Sequence, residues 1–116
     1  MLDKERQKPK NWWGAIWRGI VVDEKGKHYR HMGSAVWLFI YLLIHADRKA
    51  GSVRRKYTTI AHDMNVSEGT IRNWMRRLRR HQYVTAVSTG RGLLIHIRRW
   101  KTYIAAERVS GVAPPD

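Results

Sequence analysis

The sequence predicts one small, mainly helical α+β domain, with three helices followed by a β-hairpin. Three observations predict it. An unbroken apolar run fills residues 35 to 44. Apolar positions recur at helical spacing within 58 to 64 and again within 67 to 81. Two β-prone runs, 84 to 88 and 93 to 97, flank the turn-forming Thr89-Gly90-Arg91-Gly92. At 116 residues the chain has the usual length of a single domain, enough to bury one modest core without metal or disulfide support.

Residues 1 to 10 are polar and contain Pro9, so they read as a flexible basic arm. The domain proper is expected over 11 to 104. Residues 105 to 116, with Pro114-Pro115, read as a C-terminal tail or linker. Within the domain, 16 to 22 suits a short strand, Asp23-Glu24-Lys25-Gly26-Lys27 a turn, and 28 to 31 a second strand pairing back, which makes an N-terminal hairpin.

Gly33-Ser34 opens the first helix, over 35 to 47, with Ser34 as its N-cap. That helix is apolar on nearly every side, so each face needs cover. Trp12, Trp13 and Trp17 are the candidate lids, a dimer seam being the alternative, and Trp37 and Phe39 are read as core. Val53 onward suits a short edge strand. Thr58 then caps a short second helix whose Ile60, Ala61 and Met64 face inward, and Asn65-Val66 makes the turn. Ser67 caps the third helix, in which Ile71, Trp74, Met75 and Leu78 form a buried i, i+3, i+4, i+7 stripe. After the hairpin, Trp100 and Tyr103 fold back on the core.

The charge balance narrows the partners. There are 23 Lys and Arg against 9 Asp and Glu, a formal net charge of +14. Of these, 14 basic residues fall within 48 to 101, where Asp63 and Glu68 are the only acids. Such an excess points to a polyanion, with nucleic acid first. Cysteine is absent, so no disulfide framework or thiolate chemistry is available. The ten-residue apolar run is too short to span a bilayer, and no signal-peptide segment follows the charged N-terminus. A cytoplasmic, nucleoid-associated protein with no membrane partner is expected.

Enzymatic chemistry has no anchor in the sequence. The six histidines, at 28, 31, 45, 62, 81 and 96, include no HExxH pair, so no metal site is expected. Nine scattered acids present no paired carboxylates. No catalytic residue, cofactor or metal is assigned.

The segment TTIAHDMNVSEGTIRNWMRRLRRHQYV, residues 58 to 84, resembles the winged helix-turn-helix domains of bacterial regulators of the GntR and MarR kinds. Ile60-Ala61, Val66-Ser67, Thr70-Ile71, Leu78 and Tyr83-Val84 carry the likeness. The aromatic first helix ending His45-Ala46-Asp47, a short strand before helix two, and RGLLIHIRRWKTY after the wing look more like the winged domains of phage and DnaD-like replication proteins. The resemblance covers roughly 30 to 103 and implies a three-helix core, a β-hairpin wing and duplex DNA as the partner. Trp74 stands where GntR-like proteins usually have a small residue, and the chain has no room for their effector domain.

Burying the stripe forces Gly69, Arg72, Asn73, Arg76 and Arg80 outward. Arginine bonds bidentately to guanine and asparagine to adenine in the major groove, so Arg72 and Asn73 are the base-reading candidates, with Gly69 and Arg76 beside them. Ser67, Thr70, Thr58, Thr59, Lys56, Arg77, Arg79 and Arg80 are assigned to the DNA backbone. Arg91, between Gly90 and Gly92 at the wing tip, is aimed at phosphate or minor groove. The function expected is sequence-specific duplex binding, either in transcription regulation or as the DNA-binding module of a replication initiator from a phage or mobile element. A protein-interaction role with an acidic replisome or partition partner is the alternative. Monomer and homodimer both stay open.

Overall fold

The computed structural model describes residues 16–90, 92–101 and 103. They include four α-helices and a three-stranded antiparallel sheet, with further helical residues at Trp100, Lys101 and Tyr103. After a 3-10 turn at Arg18–Ile20 come α1 (Lys27–Met32), a second 3-10 turn (Gly33–Ala35) and α2 (Val36–His45). Then follow β1 (Ser52–Arg55), α3 (Tyr57–Met64), α4 (Glu68–Arg80), β2 (Val84–Thr89) and β3 (Gly92–Ile97). The strand order is β1-β3-β2, so β1 is an edge strand and β3 lies in the middle.

The N-terminal hairpin expected from sequence is not formed. The turn at 23 to 26 exists, with the Gly26 amide donating to the Asp23 carbonyl at 2.9 Å, but it feeds a helix. Asp23 Oδ2 accepts the Lys27 amide at 2.7 Å and so satisfies a free N–H of the first helical turn. Gly26 takes a left-handed conformation, φ 61°, that suits glycine. Burial of Met32 against the core then selects helical spacing over strand alternation. The β-prone residues before the turn have no strand to pair with; Ile20 is buried there while Val21 and Val22 stay exposed.

Leu38, Phe39 and Leu42 of α2 are wholly buried, and Ala35, Tyr41 and Leu43 join them. Trp37 is not core: it is 63% exposed. Among the described residues, the expectation that every face of α2 is covered therefore fails at Trp37. Ser34 is not the N-cap of this helix either. It lies within the 3-10 turn, and its hydroxyl accepts the Trp74 indole N–H at 3.1 Å. Trp74 is therefore half-buried, packed against the core with its nitrogen tied down. Trp17 is also half-buried and meets Tyr103 edge-on at 6.0 Å, while Trp12 and Trp13 lie outside the described residues.

Helix α3 begins one residue earlier than expected, at Tyr57, and Thr58 makes no cap; Lys56 occupies that position without a side-chain bond. Its end is as read: Asn65 is left-handed at φ 57°, and the Val66 amide returns to the Ala61 carbonyl at 3.1 Å. Ser67 Oγ accepts the Thr70 amide at 3.0 Å and starts α4. Ile71, Met75 and Leu78 are buried from there onward. Thr89 pairs with Gly92 across the hairpin, leaving a two-residue loop. Trp100 and Tyr103 are buried against the core as expected.

Candidate nucleic-acid interface

Helix α4 is the central strut of the fold, touched by α1, α2, α3 and β2. Its contacts use three sides and leave one free. On that side Gly69, Arg72, Asn73, Arg76, Arg79 and Arg80 are all exposed.

Between this face and β2 runs an open groove of about 610 Å³, where Arg72, Arg76, Arg79 and Arg80 face Thr85 and Ala86. A second cleft of about 370 Å³ continues it past Lys56, Thr58 and Glu68 towards Ser88, Thr89 and Gly92 at the hairpin end. Tyr57 and Arg72 line both, so the two make one trough. Four arginines and a lysine line the trough, and Glu68 is the one acid among the described residues lining it.

That acid is engaged. Arg72 donates to Glu68 Oε2 at 2.8 Å, one helical turn away, and its guanidinium sits 5.1 Å from the centre of the Tyr57 ring. A carboxylate on one side and an aromatic face on the other hold a long side chain in one region. Arg76 donates to Asn73 Oδ1 at 2.7 Å, which leaves the Asn73 amide N–H groups for other partners. At the start of α4, Ser67 and Thr70 share a hydroxyl contact at 2.9 Å in addition to the cap. A Cβ at Gly69 would meet nothing closer than Ser67 Oγ at 3.8 Å, so the fold itself does not require glycine there.

Arg77 departs from its sequence assignment. It points to the flank of α4 that faces α1, where its Nε donates to the His31 carbonyl at 2.7 Å and a terminal nitrogen to the Arg30 carbonyl at 3.0 Å. These are free carbonyls at the end of α1, and the guanidinium satisfies them. Arg77 is thus an internal tie rather than part of the trough. Arg55 is likewise drawn inward, 3.7 Å from Asp63, whose carboxylate also accepts the Tyr41 hydroxyl at 2.6 Å. Thr59 is exposed on α3 but does not line the trough. Gly90 stands in the hairpin loop and Gly92, at φ 130°, opens β3, while Arg91 lies outside the described residues.

Tyr57, Thr85, Ala86 and Ser88 line the trough without having been singled out in the sequence. The alternation of β2, with Val84 inward and Thr85 outward, was the available signal for the strand residues. Tyr57 gave none, because it reads equally as the end of a strand.

Fold and trough together define a small, strongly basic α+β domain. Its sequence is 28% identical over 88 residues to the phage-like element PBSX protein XkdB of Bacillus subtilis (strain 168). That match covers 66% of this chain and 32% of XkdB, so the chain spans about a third of its relative's length. No family model and no solved structure matches the chain. Among the described residues, no helix is long and apolar enough to cross a membrane, and no cluster of three His, Cys, Asp or Glu residues is set to hold a metal.

Proposed function

We propose that this chain is a non-enzymatic winged helix-turn-helix domain that binds duplex DNA sequence-specifically through α4. In this reading α2, α3 and α4 are the three-helix core, Asn65 to Ser67 is the turn, and β2 with β3 is the wing. The observation that carries it is the trough: four outward arginines on one helix face, beside a hairpin, with the single lining carboxylate already paired to Arg72.

An α-helix fits the major groove, and exposed side chains near its N-terminus reach base edges there. Arg72 and Asn73 fill that role, Arg72 held by Glu68 and Tyr57 and Asn73 by Arg76. Gly69 allows the helix start to approach closely, with Ser67 and Thr70 meeting the backbone. Arg79 and Arg80 lie further along and meet phosphates, joined by Lys56 and Thr58 from the far end of the trough. Arg77, tied to α1, takes no part. The similarity to a phage-element protein supports a phage or mobile-element setting, as regulator or as DNA-binding module of a replication initiator.

Selection of preferred duplexes from a random pool, followed by anisotropy titrations of the selected and a scrambled duplex, tests the proposal. A preferred duplex bound more tightly than the scrambled one supports it. Equal binding of both, or of RNA and heparin alike, rejects a sequence-specific reader. An acidic protein partner captured with no duplex affinity would favour an interaction module instead.

A further inference from the structure

We propose that the cleft between α1 and the turns at 81–83 and 98–99 is a binding site for a small tetrahedral oxyanion carrying two negative charges, a phosphate group being the natural example. It is a cavity of about 210 Å³ on the flank of α4 away from the trough, and the two share no lining residue. Lys27, His28, His31, His81, Arg98 and Arg99 line it, brought together from three separate stretches of chain. No carboxylate lines it among the described residues, and Asp23, at the mouth of α1, is bonded to the Lys27 amide at 2.7 Å. Gathering cationic groups in a concave site without acids costs repulsion that an anion relieves, and the concave shape concentrates the field on it.

The hydrogen-bond inventory says how the site answers an anion. Tyr83 Oη lies 2.5 Å from His28 Nδ1 and 3.3 Å from His31 Nδ1. The hydroxyl has one proton, so it donates to one ring and accepts from the other, and the ring that donates to it must carry its proton on Nδ1. When neutral, that ring has a bare Nε2. His81 stacks on His31 at 4.7 Å and 14° between planes, which disfavours charging both. Lys27 faces these rings from α1 and Asp23 from the turn before it, Arg77 and Arg80 from α4, and Tyr103, Arg98 and Arg99 from the C-terminal side. Burial, with Lys27, holds His28 low, and loss of water, with His31 and the two arginines of α4, holds His81 low. His28 and His81 are therefore biased towards their uncharged forms, and a bound dianion favours their charged ones. Binding takes up protons from solvent, so affinity rises as pH falls, by up to about tenfold per pH unit for each proton taken up.

Sulfate, a dianion across the whole range, isolates the protein's own titration. The full chain is titrated with sulfate, then with inorganic phosphate, at about pH 6 and about pH 8, following the histidine ring signals by NMR. Saturable shifts of His28, His31 and His81, with sulfate bound about tenfold or more tightly at the lower pH, are expected. His81→Gln and Arg98→Gln, both at accessible side chains, weaken sulfate at least about tenfold with unchanged melting, whereas Arg79→Gln in the trough leaves it alone. Linear, unsaturable shifts, or a parent-like sulfate affinity in both cleft variants, overturn the site and reduce the effect to general screening. Duplex titrations of the same variants identify the source. Unchanged duplex binding assigns the site to a free dianion, whereas a fall in duplex affinity with a salt slope lower by about one unit assigns it to a singly charged backbone phosphodiester and overturns the dianion site. The site stands on its own cleft and does not depend on the trough binding DNA.

Discussion

Arg77 lies among arginines that face the solvent, yet its two bonds to the Arg30 and His31 carbonyls tie α4 to the end of α1. Gly33, at φ 54°, lets the chain turn just there, and the guanidinium carbon lies 3.4 Å from where a Cβ would stand. Hydrogen bonds from a charged donor contribute about 1.5–3 kcal/mol, so Arg77→Ala should lower stability by that order. Arg76→Ala, on the open face, should stay within about 0.5 kcal/mol. Urea unfolding followed by tryptophan fluorescence separates the two; equal effects would mean that Arg77 ties nothing. At the same scale, His28 and His81 are held below their ordinary value of 6.5. The folded chain then binds fewer protons than the unfolded chain just below that pH. Their contribution to stability is full above pH 6.5 and is lost as pH falls below it. Thermal melts between about pH 7.5 and 5.5 should show Tm falling, and His28→Gln should flatten the slope. A Tm that rises on acidification contradicts the burial of a neutral ring.

Elements with a strong internal pattern were legible in the sequence. The stripe Ile71, Met75 and Leu78 fixed the phase of α4, and with it the outward set Arg72, Asn73, Arg76 and Arg80. The hairpin was legible because Gly90 and Gly92 fall at its turn, between two β-prone runs. Where tertiary partners decide, the pattern was silent. The stretch 27 to 32 reads as strand or helix until Met32 finds the core, Arg77 looks like its neighbours until α1 is placed, and Tyr57 gains meaning only beneath Arg72. Trp37 shows the same limit, since a helix apolar all round does not reveal which face the fold leaves open. Phe39→Ala should cost about 3–5 kcal/mol, whereas Trp37→Ala should cost less than about 0.5 kcal/mol. Chemical denaturation of both variants checks the contrast; a large loss at Trp37 would place it in a contact surface such as a dimer seam. Ser67→Ala, removing the bond to the Thr70 amide, should cost about 1 kcal/mol in the same assay.

For the whole molecule, a net charge of +14 guarantees some attraction to any polyanion, so affinity alone says little about the trough. What distinguishes a built interface is where the charge has to be. On duplex DNA the log-log salt slope is about −0.9 per neutralised phosphate, and only residues in contact contribute fully. Base-edge contacts add preference instead: Arg72→Ala or Asn73→Ala should cost the selected duplex about 1–3 kcal/mol relative to a scrambled one.

The most direct measurement removes the same charge from two places. In Arg79→Ala/Arg80→Ala both cations leave the trough, and in Lys25→Ala/Lys49→Ala two leave exposed loops away from it. Anisotropy titrations with duplex DNA at several salt concentrations give the slope for each protein. If α4 and the hairpin form the DNA face, the trough variant loses about two units of slope and most of its affinity, and the loop variant stays close to the parent. Equal losses in both variants would contradict the account, because the attraction would then come from net charge and not from this face.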